Sequence, residues 1–405
     1  MFFLGVTRFS LFYPHAPGWN LTDRYSSVEE YEEALFSPSR LDARIDIFTN
    51  FSLPQLALGS DGYFYRHVVQ ISPQLPEYAK ARLRAAAERF PFLVLSEHGN
   101  AKAHREELDT LARELAAESD SHDGVFVRFR LDDDDLLSVN YFDQLSRYVC
   151  TENVGLNVSF GLGYQALFFE ETVFNLRKLY HPRNSMGMAQ ICRVRHSGVV
   201  EWRPFANHAR SDLDVPTILD SRVPTVMSLK HNGQDTFAGQ NSEGVFGNAA
   251  RLLATEEPAD YKQLLEHFPA VKEFTVETIG SGAKPRSDAY PFVLDTEARA
   301  LDAEIHSPGI YEFDIEFRST DTGDERRFFI SIPTKLENIQ YPWNEFIGDS
   351  VVAGVPFRGA RRARLPLLLG FNEGFDSVSM WQSKASSDSN QIESVRISGK
   401  QLNGN

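Results

Sequence analysis

The chain has 405 residues, too many for one ordinary core, so two domains are the natural expectation. Its net charge of −15 argues against a duplex nucleic-acid binder, which needs a basic face to displace counterions. Hydrophobic residues make up 42% and charged residues 24%, as in globular proteins, and no run approaches the roughly 20 apolar residues of a membrane span.

The first half of the chain reads as alternating strands and helices. Phe2 to Val6 is expected to be a buried strand, too short and lacking the positive flank of a signal segment. Ser27 to Phe51 carries helix-period apolar positions, among them Tyr31, Leu35, Ile45 and Phe48. Tyr63 to Ile71 is a second strand, Pro76 opens a helix through Ala87, and Phe92 to Leu95 is a third strand. Ala103 to Ala117 has Leu108, Leu111 and Leu115 on one helical face, and Val125 to Leu131 is a fourth strand. This order predicts an α/β layer structure with a mainly parallel sheet, whose ligands bind beyond the carboxyl ends of the strands.

From 152 to 235 the pattern is less regular. Strands are expected at Asn157 to Phe160, Ala166 to Glu170 and Gln190 to Val194, with a helical piece from Ser211 and a short helix at Ala259 to Phe268. Near 280 the texture changes to Gly280-Ser281-Gly282-Ala283-Lys284-Pro285, a linker by composition. Beyond it the apolar period shortens to two, with Tyr311, Phe313, Ile315 and Phe317 alternating with charged residues. The expected division is 1–275 as an α/β domain, 276–288 as linker, and 289–405 as an antiparallel β-sandwich. Tyr341, Trp343 and Trp381 could stack on sugar rings or simply fill the sandwich core. The basic cluster Arg358, Arg361, Arg362 and Arg364 reads as a solvated turn. The two cysteines, Cys150 and Cys192, make no disulfide framework and no zinc spacing, which fits a reduced cytoplasm best.

The stretch that carries chemistry is Asp132-Asp133-Asp134-Asp135, directly after the fourth strand. Four adjacent carboxylates repel one another, and a divalent cation relieves that repulsion. Hard oxygen ligands suit Mg²⁺ or Mn²⁺, which in turn grip a diphosphate. If strand geometry persists through the run, Asp132 and Asp134 point the same way and share one task. The bland alternative is a solvated acidic turn, and metal-dependent hydrolases use similar clusters.

Leu131-Asp132-Asp133-Asp134-Asp135-Leu136 resembles the Leu-Asp-x-Asp-Asp element of family-2-type glycosyltransferases of the GT-A fold. Further stretches make the chain similar, over about residues 1–240, to the bacterial rhamnosyl transferase family. They are Thr7-Arg8-Phe9-Ser10, Arg40-Leu41 with Arg44 and Phe48, Leu53-Pro54-Gln55-Leu56, Tyr63-Phe64, Ser72-Pro73-Gln74-Leu75-Pro76 and Arg130 to Asp135. The resemblance implies a GT-A domain, a nucleotide-sugar donor, a glycan or glycolipid acceptor and a divalent metal, Mn²⁺ or Mg²⁺. It places the protein in the cytoplasm or at the inner face of the membrane, in cell-surface polysaccharide synthesis, with homo-oligomerisation open. By position, Asp132 contacts the nucleoside, Asp134 binds the metal, Asp135 supports the loop, and Arg8, Arg44 and Asp133 line the nucleotide pocket. A late histidine often completes such a metal site, and His231 is preferred here over His208. For an inverting reaction, Asp212 and Asp214 are the candidate bases, with Glu201 as an outsider. The Asn184-Ser185-Met186-Gly187-Met188 loop is a candidate for the acceptor side. A non-catalytic carbohydrate-binding protein with a degenerate transferase domain and a metal-dependent phosphoesterase are the competing readings.

Overall fold

The computed structural model describes residues 1–13, 25–119, 124–169, 171–203, 208–231, 234 and 259–274. Beyond these it describes residues 277–278, 284–285, 292–293, 296–305, 309–318, 326–333, 345–347, 350–357, 362–369, 375–382 and 391–401. Among the described residues, the chain up to 231 builds two sheets. The first joins β1 (Phe3–Arg8), β2 (Tyr65–Ile71), β3 (Leu93–Glu97), β4 (Val125–Arg130), β6 (Asn157–Ser159), β9 (Ala189–Val194), β10 (Val200–Glu201) and β11 (Thr217–Leu219). Their order is β11-β6-β9-β4-β1-β2-β3, with β10 beside β9. The second sheet runs β5 (Asp135–Leu137), β12 (Val226–Lys230), β7 (Leu162–Phe169), β8 (Thr172–Tyr180).

The expected α/β layer with a mainly parallel sheet is what forms. β1 pairs in parallel with both β2 and β4, and β2 pairs in parallel with β3, while β9 runs antiparallel to its neighbours. The order has a functional consequence. From β1 the chain winds outward to β2 and β3, then returns to place β4 on β1's other side. That reversal makes a crevice at the carboxyl ends of β1 and β4, the place where open α/β sheets bind ligands. Arg8 ends β1 and Arg130 ends β4.

Helices cover this sheet because their apolar stripes match it. α4 (Glu77–Arg89) buries Ala79, Leu83 and Ala86, and α5 (Ala101–Glu118) buries His104, Leu108, Ala112 and Leu115. Asn100 caps α5 by accepting a hydrogen bond from the Ala103 amide. The single helical stretch expected from Ser27 to Phe51 is divided. α1 (Val28–Leu35) gives way to α2 (Pro38–Ile47), a π-helical turn follows at Phe48–Ser52, and α3 (Leu53–Gly59) completes the series. Pro38 explains the first break, since a proline is accommodated at a helix start but not inside one. Pro76 stands one position before α4 as its cap, rather than in its first turn.

The polar core contains one group that makes stability pH-dependent. His67 is fully buried, with Nδ1 2.6 Å from the Tyr65 hydroxyl and Nε2 2.8 Å from Thr7 Oγ1. Thr7 Oγ1 donates to the Leu131 carbonyl, so it accepts from His67 Nε2–H and leaves Nδ1 to accept from Tyr65. The imidazole is therefore held neutral, and burial pushes its pKa down to about 3. An unfolded chain takes up a proton near pH 6.5 that the folded chain refuses, so stability falls as the pH drops from about 6.5 toward 3. From pH 7 to pH 5 this one group costs about 2 kcal/mol. Urea unfolding at the two pH values is expected to show His67→Gln losing about 2 kcal/mol less than the wild type on acidification. Equal losses in both proteins would exclude His67 as the cause.

The C-terminal half is β-rich, as the period-two alternation predicts. Strands Gly309–Arg318, Arg362–Leu369 and Gln391–Gln401 pair antiparallel, as do Arg299–Ile305, Arg326–Pro333, Ser350–Phe357 and Phe375–Gln382 in a separate sheet. Phe313 and Ile315 are buried on alternate positions, as are Val378 and Met380. Half-buried Trp381 stacks on Phe329, its partner in the sheet, at 5.4 Å between ring centroids. Tyr341 and Trp343, Arg358 and Arg361, and the residues 279–283 of the expected linker lie outside the described residues.

Candidate functional site

The acidic run is a junction between the two sheets. β4 ends at Arg130 in the first sheet, and β5 starts at Asp135 in the second, where it pairs with β12 at Ser228. The chain crosses between them in a turn whose Asp135 amide donates to the Asp132 carbonyl at 3.3 Å. Strand geometry therefore does not persist. The expectation that Asp132 and Asp134 point the same way is corrected: the turn sends their side chains to different partners, although both line the same cleft.

That cleft has a volume of about 510 Å³ and lies at the crevice between β1 and β4. Asp132 accepts from Arg130 Nη2 at 2.9 and 3.2 Å and from Ser185 Oγ at 3.2 Å. Asp133 is almost fully buried and is ion-paired with Arg44 Nη1. Arg44 Nη2 stands 3.8 Å from Asp134, so one guanidinium spans two consecutive carboxylates. Asp134 Oδ2 lies 3.2 Å from His231 Nε2 and accepts from Gln234 Nε2 at 3.2 Å. Ser52 Oγ donates to the Asp135 carbonyl and holds the end of the turn.

Electrostatics drive the neighbouring carboxyls apart. Burial acts to raise the Asp134 pKa. The Arg44 charge and the hydrogen bonds from His231 and Gln234 outweigh it and hold Asp134 below the usual carboxylate range. Asp135 goes the other way, raised well above that range by burial and by the charges of Asp134 and Asp132. His231 is lowered by burial, against the pull of Asp134. An ionised carboxylate thus faces an imidazole whose neutral form is favoured. The repulsion expected of four aspartates is relieved in part by Arg44 and Arg130, so the protein supplies some of the compensating charge itself.

The remaining wall is basic. Arg8, Arg40, Arg130 and Lys230 line the cleft together with Arg44. Arg8 is open to solvent yet crowded by protein, and burial followed by the Arg130 charge lowers its pKa. Arg40 donates to Ser10 Oγ at 2.8 Å and to the Leu35 carbonyl at 2.9 Å. Ser10 holds a left-handed φ of 45°, an uncommon conformation that the bond from Arg40 braces. Lys230 ends β12, which is seated against β7 at Gly163, where a Cβ would land on the Val226 carbonyl oxygen.

A family model with the description Putative rhamnosyl transferase matches residues 3–241, more than half of the chain and all of the cleft residues named above. The chain belongs to this rhamnosyl transferase family. No curated protein matches it. Among solved structures, a 4-diphosphocytidyl-2C-methyl-D-erythritol synthase shares 10% identity at a TM-score of 0.24, over 54% of this chain and 88% of that one. The CBM35 from Cellvibrio japonicus Abf62 shares 12% identity at a TM-score of 0.19, over 32% of this chain and 98% of that one. A Xyl-CBM35 in complex with a glucuronic acid containing disaccharide shares 14% at 0.18, over 32% and 88%.

In this rhamnosyl transferase family member the cleft gathers Arg8, Arg44, Asp132, Asp133, Asp134 and Asp135, and His231, buried and not among the lining residues, meets Asp134. Asp133 spends its charge on Arg44, which makes it a support of the cleft wall. His208 also lines the cleft, but its Nδ1 lies 3.0 Å from the Arg183 carbonyl oxygen and its ring stands edge-on to His181. Asp212 and Asp214 are exposed and do not line the cleft. Asp212 is ion-paired with Arg183, beside the lining residue Asn184, and Glu201 is ion-paired with Arg195. Ser185 and Met186 from the expected acceptor loop do line the cleft. Sequence reasoning missed Arg40 as a site residue, along with Arg130, Lys230, His181, Ser228 and Gln234. Arg40 had a signal, since it lies four residues before Arg44 on one helix and so shares its face. Lys230 and Gln234 had none, because their place depends on β12 joining β5.

Proposed function

We propose that the chain is a metal-dependent glycosyltransferase that moves a sugar from a nucleoside diphosphate donor to a glycan or glycoconjugate acceptor. The observation that carries this reading is that Asp134 lines a cleft walled by Arg8, Arg40, Arg44, Arg130 and Lys230 and pairs with His231, buried behind that wall. Four aspartates line the cleft alongside five cationic side chains, a setting that suits an anionic ligand bearing its own cation. Asp134 and His231 are the residues that would hold Mn²⁺ or Mg²⁺. Their donor set fits, being an ionised carboxylate beside an imidazole favoured as neutral, and the buried Gln234 Oε1 nearby has no hydrogen-bond partner among the described residues. When bound, the ion supplies Lewis-acid charge to the departing nucleoside diphosphate. The arginines and Lys230 hold the diphosphate oxygens, and Asp132 is assigned to the nucleoside, turned by Arg130 and Ser185.

On this reading residues 1–275 form a GT-A domain, and 289–405 form an accessory β-sandwich. The reaction is inverting, in cell-surface polysaccharide synthesis. Of the two proposed bases, Asp212 is favoured over Asp214, because its ion pair with Arg183 ties it to the cleft rim.

A thermal-shift panel of UDP, GDP, dTDP and CDP, each with and without Mn²⁺, tests the proposal. One nucleotide is expected to raise the melting temperature, and more so with Mn²⁺. At a hundredfold excess over its dissociation constant, a ligand bound only by the native state adds about 2.7 kcal/mol. The Arg44 contacts with Asp133 and Asp134 favour a second reading, a degenerate non-catalytic cleft that balances its own charge. Glycan binding with no nucleotide response would select that reading.

A further inference from the structure

A second cluster of ligating side chains lies away from the acidic cleft, where β3 meets α5. His98 sits in the loop after β3, and His104 and Glu107 stand one turn apart on α5. One donor atom from each lies within 4.8 Å of the others. His98 Nε2 is 3.0 Å from Glu107 Oε2. Ser96 Oγ lies 2.7 Å from His104 Nδ1 and also donates to Glu107 Oε2, so a hydroxyl orients both the ring and the carboxylate. His104 is 2% exposed, and among the described residues no group makes a hydrogen bond of good geometry to its buried Nε2.

Those features separate the cluster from an ordinary buried network. A buried ring nitrogen without a partner is uncommon, because native proteins satisfy buried polar atoms. A histidine with one nitrogen held by a polar neighbour and the other left over has the arrangement of a metal ligand. Donors bonded to one ion at about 2.0–2.2 Å lie up to ~4 Å apart, so the present spacing closes with small side-chain rotations. His98 and Glu107 have side chains 36% and 37% exposed, which opens a route for the ion and room for water ligands.

We propose that Ser96 orients and His98, His104 and Glu107 bind a transition-metal dication of the zinc class, locking the end of β3 to the start of α5. Two imidazoles and one carboxylate suit Zn²⁺ better than Mg²⁺ or Ca²⁺, which take oxygen ligands. The site is independent of the donor cleft and of the function proposed for it.

The test uses the tag-free full chain, stripped with EDTA, and titrated with Co²⁺ followed by Zn²⁺. The wild type is expected to bind Co²⁺ at this site with the intense visible absorption of tetrahedral coordination, one equivalent giving the full signal, and Zn²⁺ is expected to displace it. A variant combining His98→Ala with Glu107→Gln changes two half-exposed residues, so folding is retained, and should lose that signal with at least about a 100-fold drop in Zn²⁺ affinity. Asp134→Asn should retain it. The proposal is overturned if the wild type shows no such signal, if the double variant keeps it, or if Asp134→Asn abolishes it.

Discussion

Asp134→Asn is expected to lower sugar transfer by at least about 100-fold and to remove the Mn²⁺-dependent part of nucleotide stabilisation, with the far-UV spectrum unchanged. The substitution keeps the side chain's shape and removes its charge. Arg44 remains paired with Asp133, so the wall of the cleft keeps its main ion pair. What is lost is the ionised oxygen that faces His231 at 3.2 Å. Because the Arg44 charge and two hydrogen bonds hold Asp134 below the usual carboxylate range, its ionised form persists through the physiological range, and Asn cannot reproduce it. Matched turnover and matched Mn²⁺ response in the two proteins would remove Asp134 from the metal assignment.

Arg44→Met is expected to cost about 3–5 kcal/mol of folding stability, the usual penalty for breaking a buried ion pair from one side. Asp133 is 1% exposed, and the substitution leaves its carboxylate in the interior without the guanidinium. The loss acts on Asp134 too, since Arg44 is the leading charge that keeps it ionised. Urea unfolding measures the effect. Mn²⁺ should then stabilise the variant by more than it stabilises the wild type, because an ion at Asp134 would replace part of the missing positive charge. A urea midpoint equivalent to a loss under about 1 kcal/mol would show that Asp133 is compensated by other groups. Arg44→Lys should recover only part of the stability, since a single ammonium cannot span two carboxylates as a guanidinium fork does.

These two residues show how differently site positions are written into the chain. The acidic run was legible because its composition is extreme and a well-patterned strand stands before it. Arg44 was legible from the family resemblance, and its position in the last turn of α2 agrees with the preference of helix carboxyl ends for cations. His231 required a choice between two late histidines. The His98, His104 and Glu107 cluster passed unnoticed, since a histidine on a helix with an apolar face ordinarily reads as core.

Local pattern alone determined the strand-helix order of the first half, the buried faces of α4 and α5, and the change to period-two strands beyond 300. Each depends on contacts a few residues apart, or on one face repeating along one element, so periodicity reports it. Only the tertiary structure decided that the acidic run is a crossover between two sheets, that Asp132 and Asp134 turn to different partners, and that Lys230 and His231 arrive beside them. Those outcomes depend on β12 pairing with β5 across some 90 residues of chain. Pairing at that distance is set by how whole faces bury against each other, information that no short window of sequence contains.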